Sequence, residues 1–156
     1  IGDYEDRDVK FFDIMYTYFL DSFSIDDERI YCVGSSNGGA FTYILLQLRP
    51  KIFAAAAPAI PANGGLKSIY QMNLPSIPIF HTSGKKEFSF SKQKKLVDYI
   101  INEKEAKYLG YWNNNILTKH YKSDKGDLIW FTHNDGHRWR TKDTQMIFDF
   151  FKEIKP

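Results

Sequence analysis

Five residues, Gly34-Ser35-Ser36-Asn37-Gly38, stand between a short apolar run, Arg29 to Val33, and a helix-forming run, Ala40 to Leu48. A strand that ends on small residues and re-enters as a helix must turn sharply, and the serine at the middle of that turn is presented at the helix start. This is the sequence form of a nucleophile elbow. Side chains at Gly34 or Gly38 are expected to collide in so tight a turn, and Gly39 lets the new helix pack closely on the sheet. The pattern predicts a strand, turn and helix within an α/β sheet.

The rest of the chain is compatible with that unit. At 156 residues it suits a single domain, 1–156, with a sizeable core. Hydrophobic residues make up 43%, charged residues 26% and aromatic residues 17%, which argues for a packed globule and against disorder. Lys and Arg total 21 against 19 Asp and Glu, and the basic residues are scattered, densest at Lys92, Lys94 and Lys95. Neither nucleic acid nor an anionic membrane is therefore an expected partner. No apolar stretch approaches a membrane span, and Ile1 to Arg7 is not a signal peptide, so the sequence leaves the compartment open. Cys32 is the sole cysteine, cannot form an internal disulfide, and reads as a buried small hydrophobe within its strand.

Periodicity predicts the elements. Val9, Phe12, Tyr16, Phe19 and Phe23 recur at three- and four-residue steps, giving an amphipathic helix from Asp6 to about Ser22. Arg29 to Val33 is the elbow strand, Ile52 to Ala57 and Ile77 to Thr82 read as fully buried strands, and Leu128 to Thr132 as the last one, after a short strand near Thr118 to Tyr121. Pro58 to Pro75, with Pro61, Asn63, Gly64 and Gly65, reads as a loop with a short helical turn around Ser68 to Met72. A helix is expected from Ser91 to Tyr111, broken near Lys104, followed by a turn at Asn113 to Asn115. Thr141 to Ile154 is a closing helix whose buried face carries Met146, Ile147, Phe150, Phe151 and Ile154. Strands alternating with helices predict a parallel α/β sheet with flanking helices.

A serine is a weak nucleophile unless a base lies within hydrogen-bond reach and an acid orients that base. Of four histidines, His137 is the best candidate base: it lies in the polar loop Asn134 to Trp139, beyond the last strand, at the same carboxyl edge of the sheet as the elbow. His81 and His133, at strand ends, read as structural, and His120 as exposed. A metal site of His133, His137 and Asp135 is disfavoured, because the four-residue spacing aligns two imidazoles only on a helix, and Gly136 marks a loop. The loop after the Ile77 to Thr82 strand holds one carboxylate, Glu87, as the candidate acid. A solvated surface glutamate is its bland alternative, and Asp124, Asp127 and Asp135 are lesser candidates.

Several segments resemble, in order, the α/β-hydrolase esterases of the polyhydroxybutyrate depolymerase and feruloyl esterase type. They are Asp3 to Phe12, Ile25 to Gly39 with the elbow, Phe53 to Pro58, Tyr111 to Asn115, and the Asp135-Gly136-His137-Arg138-Trp139 loop. The resemblance implies a three-layer α/β-hydrolase sandwich lacking the N-terminal strands. It also implies a Ser36, His137, Glu87 triad, Asn37 as an oxyanion donor through its backbone N–H, Trp139 as a substrate contact, and no cofactor or metal. It implies an ester substrate, either a plant cell-wall phenolic or acetyl ester or a polyester, and an exported enzyme. Three differences stand out: Glu87 where these esterases carry aspartate, Arg140-Thr141 where they carry Pro-Gly, and no His-Gly loop or preceding strands ahead of Asp3.

The leading expectation is thus a serine carboxylic-ester hydrolase; a hydrolase-derived binding module is the alternative. A phosphate or nucleotide binder ranks lower, since no Gly-x-Gly-x-x-Gly and no Walker lysine is present. A sheet that begins at the elbow strand is expected to expose an unpaired edge, covered by a further N-terminal segment or by a second copy of the chain.

Overall fold

The computed structural model describes residues 7–62 and 73–154. Helix α1 (Arg7–Ser22) leads through a single 3₁₀ turn to β1 (Tyr31–Ser35), α2 (Asn37–Leu48) and β2 (Ala55–Ala59). Next come β3 (Ile79–Gly84), α3 (Phe90–Glu103), β4 (Lys107–Tyr111), β5 (Thr118–Lys122), β6 (Leu128–His133) and α4 (Thr141–Glu153). The described strands form one sheet in the order β1-β2-β3-β6-β5-β4. The helical turn expected at Ser68 to Met72 lies outside the described residues.

The sheet is mixed, which corrects the all-parallel expectation. β1, β2, β3 and β6 run parallel, while β5 pairs antiparallel with β6 and β4 antiparallel with β5. The correction centres on residues 107–111, expected to be helical. The break near Lys104 is real: Glu105 adopts φ 52°, which a helix cannot continue through. The buried Lys104 ammonium donates to the carbonyls of Ile77 at 2.9 Å and Lys125 at 2.6 Å, fixing where the chain turns. Beyond that point Tyr108 lies opposite Tyr121, their rings 5.6 Å apart, so cross-strand aromatic packing outweighs helix propensity.

Strand alternation divides the core into two faces. Ala56, Ile79, Leu128 and Trp130 face Tyr43, Leu45 and Leu46 of α2 and Leu96, Val97 and Ile100 of α3. Ala55, Ala57, Phe80, Ile129 and Phe131 face Ile147 and Phe150 of α4, with Trp112. Helices therefore cover both faces, giving three layers. β2 and β3 are buried at every position, as a strand flanked on both sides and both faces must be. Both begin two or three residues later than expected, since Ile52 N–H donates to Arg49 O and Ile77 N–H to Pro75 O in local turns. Tyr43, Phe80 and Phe131 are among the largest fully buried side chains; full burial of a side chain like Phe contributes about 1.5–3 kcal/mol.

Helix α1 departs from its expected burial. Only Val9 is buried, and Phe19 and Phe23 are exposed along with Phe11, Ile14 and Tyr18. The cause is the sheet's limit: among the described residues β1 pairs on one side only, so α1 flanks an edge, with Phe12 reaching Phe53 at 5.7 Å. An apolar cleft of about 500 Å³ lies there, between Met15, Phe19 and Ile25 on one side and Cys32, Val33 and Phe41 on the other. No described helix is long and apolar enough to cross a membrane.

Val33, 51% exposed on a strand that has one partner among the described residues, sits on an edge that natural sheets cover or charge. The isolated chain at micromolar concentration is expected to give a light-scattering mass above that of the monomer, and Val33→Lys to lower it. A monomer with slow amide exchange along β1 would mean that the edge is closed from within.

Candidate active site

β1 ends at Ser35 and α2 begins at Asn37, so Ser36 alone makes the turn, with φ 57° and ψ −117°. An L-residue reaches that conformation only when its surroundings impose it. Three backbone bonds do so here: Ser36 N–H donates to Ala59 O at 3.0 Å, and Ser36 O accepts from Ala40 N–H at 3.0 Å and Ala62 N–H at 2.9 Å. The glycine requirement is at Gly34, where a Cβ would overlap the Gly38 carbonyl, and at Gly39, where it would lie 2.6 Å from Ala59 O. Gly38 differs from expectation, since a Cβ there meets nothing within 4 Å. Asn37, the first residue of α2, carries one of the N–H groups that a helix leaves without an intrahelical acceptor, at the positive end of the helix dipole.

β3 and β6 are neighbours, and their parallel course delivers two loops to the same edge as the elbow. Those loops are stitched by main-chain bonds: Lys85 N–H to His133 O at 2.9 Å and Lys86 N–H to Asp135 O at 3.1 Å. Gly84 permits the approach, because a Cβ there would overlap Gly136 O and lie 2.7 Å from Asp135 O. Arg140 anchors the far side of the loop, donating to Asp135 at 3.1 Å and pairing with the buried Asp143 of α4, while its guanidinium sits over Phe131.

This framework brings three sequence-predicted residues into one line. His137 Nε2 lies 2.7 Å from Ser36 Oγ, and His137 Nδ1 lies 2.7 Å from Glu87 Oε1. A carboxylate only accepts, so Nδ1 carries the proton and Nε2 accepts from the Ser36 hydroxyl. The line runs from an exposed imidazole to a Glu87 side chain only 1% exposed, so Glu87 is not a solvated surface glutamate.

The other candidates lie elsewhere. Asp127 pairs with His120 at 2.7 Å beyond the amino end of β6, which makes His120 half-buried where exposure was expected. Asp135 is held by Arg140, whose hydrogen bond and charge lower its pKa. Burial drives the His81 pKa down to about 3, so its neutral Nδ1 accepts the Tyr43 hydroxyl at 2.7 Å in the core. His133 Nδ1 accepts Asp135 N–H, shaping the loop turn, and burial lowers its pKa. Among the described residues no cluster of three potential metal ligands exists. Trp139, 37% exposed, donates to Thr144 at 3.2 Å and touches none of the three aligned side chains by a hydrogen bond. Cys32 is half-buried, its thiol within reach of Thr42 and its pKa raised by burial.

Sequence reading missed Ser89 and Gln93. Ser89 and Gln93 both contact the Glu87 carboxylate, the first at 2.5 Å and the second at 2.7 Å. A serine just before a helix reads as a cap, and a glutamine inside one as a solvated residue, so neither carried a local signal for this contact.

The model of the prolyl oligopeptidase family matches residues 2–125. The chain belongs to the prolyl oligopeptidase family. The matched span holds the elbow and Glu87 and ends before His137. Among solved structures, this family member is similar to S-formylglutathione hydrolase FrmB of Staphylococcus aureus at 13% identity, covering 94% of this chain and 59% of that one, with a TM-score of 0.61. It is similar to the Bacillus cereus carboxylesterase at 17% identity, with coverages of 99% and 65% and a TM-score of 0.59. Esterase PE8 is similar at 11% identity, with coverages of 92% and 59% and a TM-score of 0.64. The fold is that of the α/β-hydrolases, and the chain spans about three-fifths of the length of these neighbours. No curated protein matches the sequence.

The site framework yields a paired prediction on glycines. Gly84→Ala is expected to push the acid and histidine loops apart and destabilise the fold by about 1–3 kcal/mol. Gly38→Ala, with open space around its Cβ, is expected to be neutral or to stabilise α2 by up to about 0.5–1 kcal/mol. Thermal unfolding of the two variants tests the contrast.

Proposed function

We propose that this chain carries the nucleophile, base and acid of a serine hydrolase acting on carboxylic esters. The observation behind the proposal is the unbroken hydrogen-bond line from Ser36 Oγ through both nitrogens of His137 to Glu87. In this reading Ser36 Oγ attacks the ester carbonyl carbon and its proton passes to His137 Nε2. Glu87 holds the imidazolium that results. The tetrahedral oxyanion accepts the Asn37 N–H, aided by the dipole of α2. Collapse expels the alcohol, which takes the proton from His137. Water, deprotonated by His137, then attacks the acyl-enzyme, and the acid is released with Ser36 restored.

Support for an ester comes from the names of the structural neighbours, two of them a carboxylesterase and an esterase. The segment resemblance to polyhydroxybutyrate depolymerases and feruloyl esterases narrows the proposal to a polyester or a cell-wall phenolic or acetyl ester, with Trp139 at the rim of the site. The family name favours a second reading, hydrolysis of a peptide bond next to proline. The same atoms could perform it, but an amine is a poorer leaving group than an alcohol.

Parallel assays with a short p-nitrophenyl ester and a prolyl p-nitroanilide separate the readings: turnover of the ester alone supports the proposal, turnover of the anilide favours the peptidase. Turnover of neither by a folded chain would leave a binding module. Ser36→Ala and His137→Ala are each expected to abolish ester turnover with the fold retained. Glu87→Gln is expected to lower kcat on the order of 10⁴-fold, because an amide no longer fixes the Nδ1–H tautomer.

A further inference from the structure

A glutamate carboxylate sits at the end of a side chain with three rotatable bonds, and a single contact to His137 would leave its orientation loose. The surroundings of Glu87 remove that freedom. Its Oε1 accepts from His137 Nδ1 at 2.7 Å and from the Ser89 hydroxyl at 2.5 Å, and its Oε2 accepts from Gln93 Nε2 at 2.7 Å. Gln93 Nε2 also donates to Ser89 Oγ at 3.2 Å, closing a ring of three side chains. All three are buried, Gln93 and Ser89 at 0% and 1% exposure.

Two details show that these residues serve the carboxylate and not the helix. Ser89 occupies the N-cap position of α3, where a serine hydroxyl ordinarily accepts an N–H of the first turn, yet it makes no side-chain cap bond. Its hydroxyl is turned onto Glu87 instead. Gln93 Oε1 is buried without a donor among the described residues, an arrangement that costs stability. Reversing the amide would offer Oε1 a new environment but would set an oxygen against the carboxylate, so the amide is held by its N–H donation. The carboxylate also lies just ahead of the α3 N-terminus, where the dipole favours negative charge.

We propose that Gln93 and Ser89 are positioning residues for the site at Ser36, clamping Glu87 in the one orientation that meets His137 Nδ1; the proposal rests on the reading of Ser36 as nucleophile. The clamp acts through Glu87 and touches neither substrate nor Ser36. Its loss therefore lowers kcat and leaves KM where it was.

The test uses Gln93→Met, which keeps the volume and removes the donor, and Ser89→Ala, which removes one oxygen and stands in should Gln93→Met fail to fold. Each is expected to lower kcat for the p-nitrophenyl ester about tenfold with KM unchanged. Each is also expected to shift or broaden the far-downfield proton resonance of His137 Nδ1–H, which a role confined to helix stability would leave alone. Wild-type kcat with an unaltered resonance in a folded variant would overturn the clamp. Absence of turnover by the wild-type chain would overturn the hydrolase reading instead, and the resonance in wild type against variant would still decide whether the clamp exists.

Discussion

Four strands running the same way are the constraint on which this site depends. Because β1, β3 and β6 are parallel members of one sheet, the turns that follow them emerge at one edge, and residues 101 positions apart in the chain come within 2.7 Å. The buried middle of the sheet makes that edge stiff: β2 and β3 are buried at every position and are packed by helices on both faces. Closeness of the loops then follows from backbone, through the Lys85 and Lys86 bonds and the bare Cα of Gly84, before any side chain of the candidate site is considered. The strained turn at Ser36 is sustained in the same way, by main-chain bonds to Ala59 at the end of β2, to Ala62 beyond it and to Ala40 in α2.

The parts of the candidate site were legible where they are local. The elbow needs small residues at fixed offsets between a strand and a helix, and the loop bearing His137 needs polar residues just past a strand, so both are written in contiguous sequence. Glu87 was readable because its loop has no competing carboxylate. The antiparallel pair β4 and β5 was not fully readable. Lys107 to Tyr111 lacks clean alternation, and its state is decided by Tyr121 on a partner strand and by Lys104 capping distant carbonyls. Helix α1 misleads for a related reason, since its apolar period promises a face to bury and the described sheet ends before supplying one. Gly38 shows the limit of motif reading: the pattern marks it as a glycine position, but among the described residues only Gly34 and Gly39 of that turn are packed against anything.

Burial grades the three aligned side chains from surface to core. His137, which in the proposed mechanism reaches the leaving group, is at the surface, Ser36 is half-buried, and Glu87 is sealed off with its two further donors. A carboxylate so enclosed would be costly without those donors. In the proposed mechanism that gradient would put proton transfer at the exposed end and charge stabilisation at the closed end, the division of labour that serine hydrolysis requires.

The central claim is that Ser36 is an activated nucleophile, and covalent labelling reads that most directly. A fluorophosphonate probe, attacked at phosphorus by Ser36 Oγ with loss of fluoride, is expected to leave one adduct on the peptide containing Ser36, and none when His137 is replaced by alanine. A folded wild-type chain with no adduct, or with its adduct on another residue, would contradict the account.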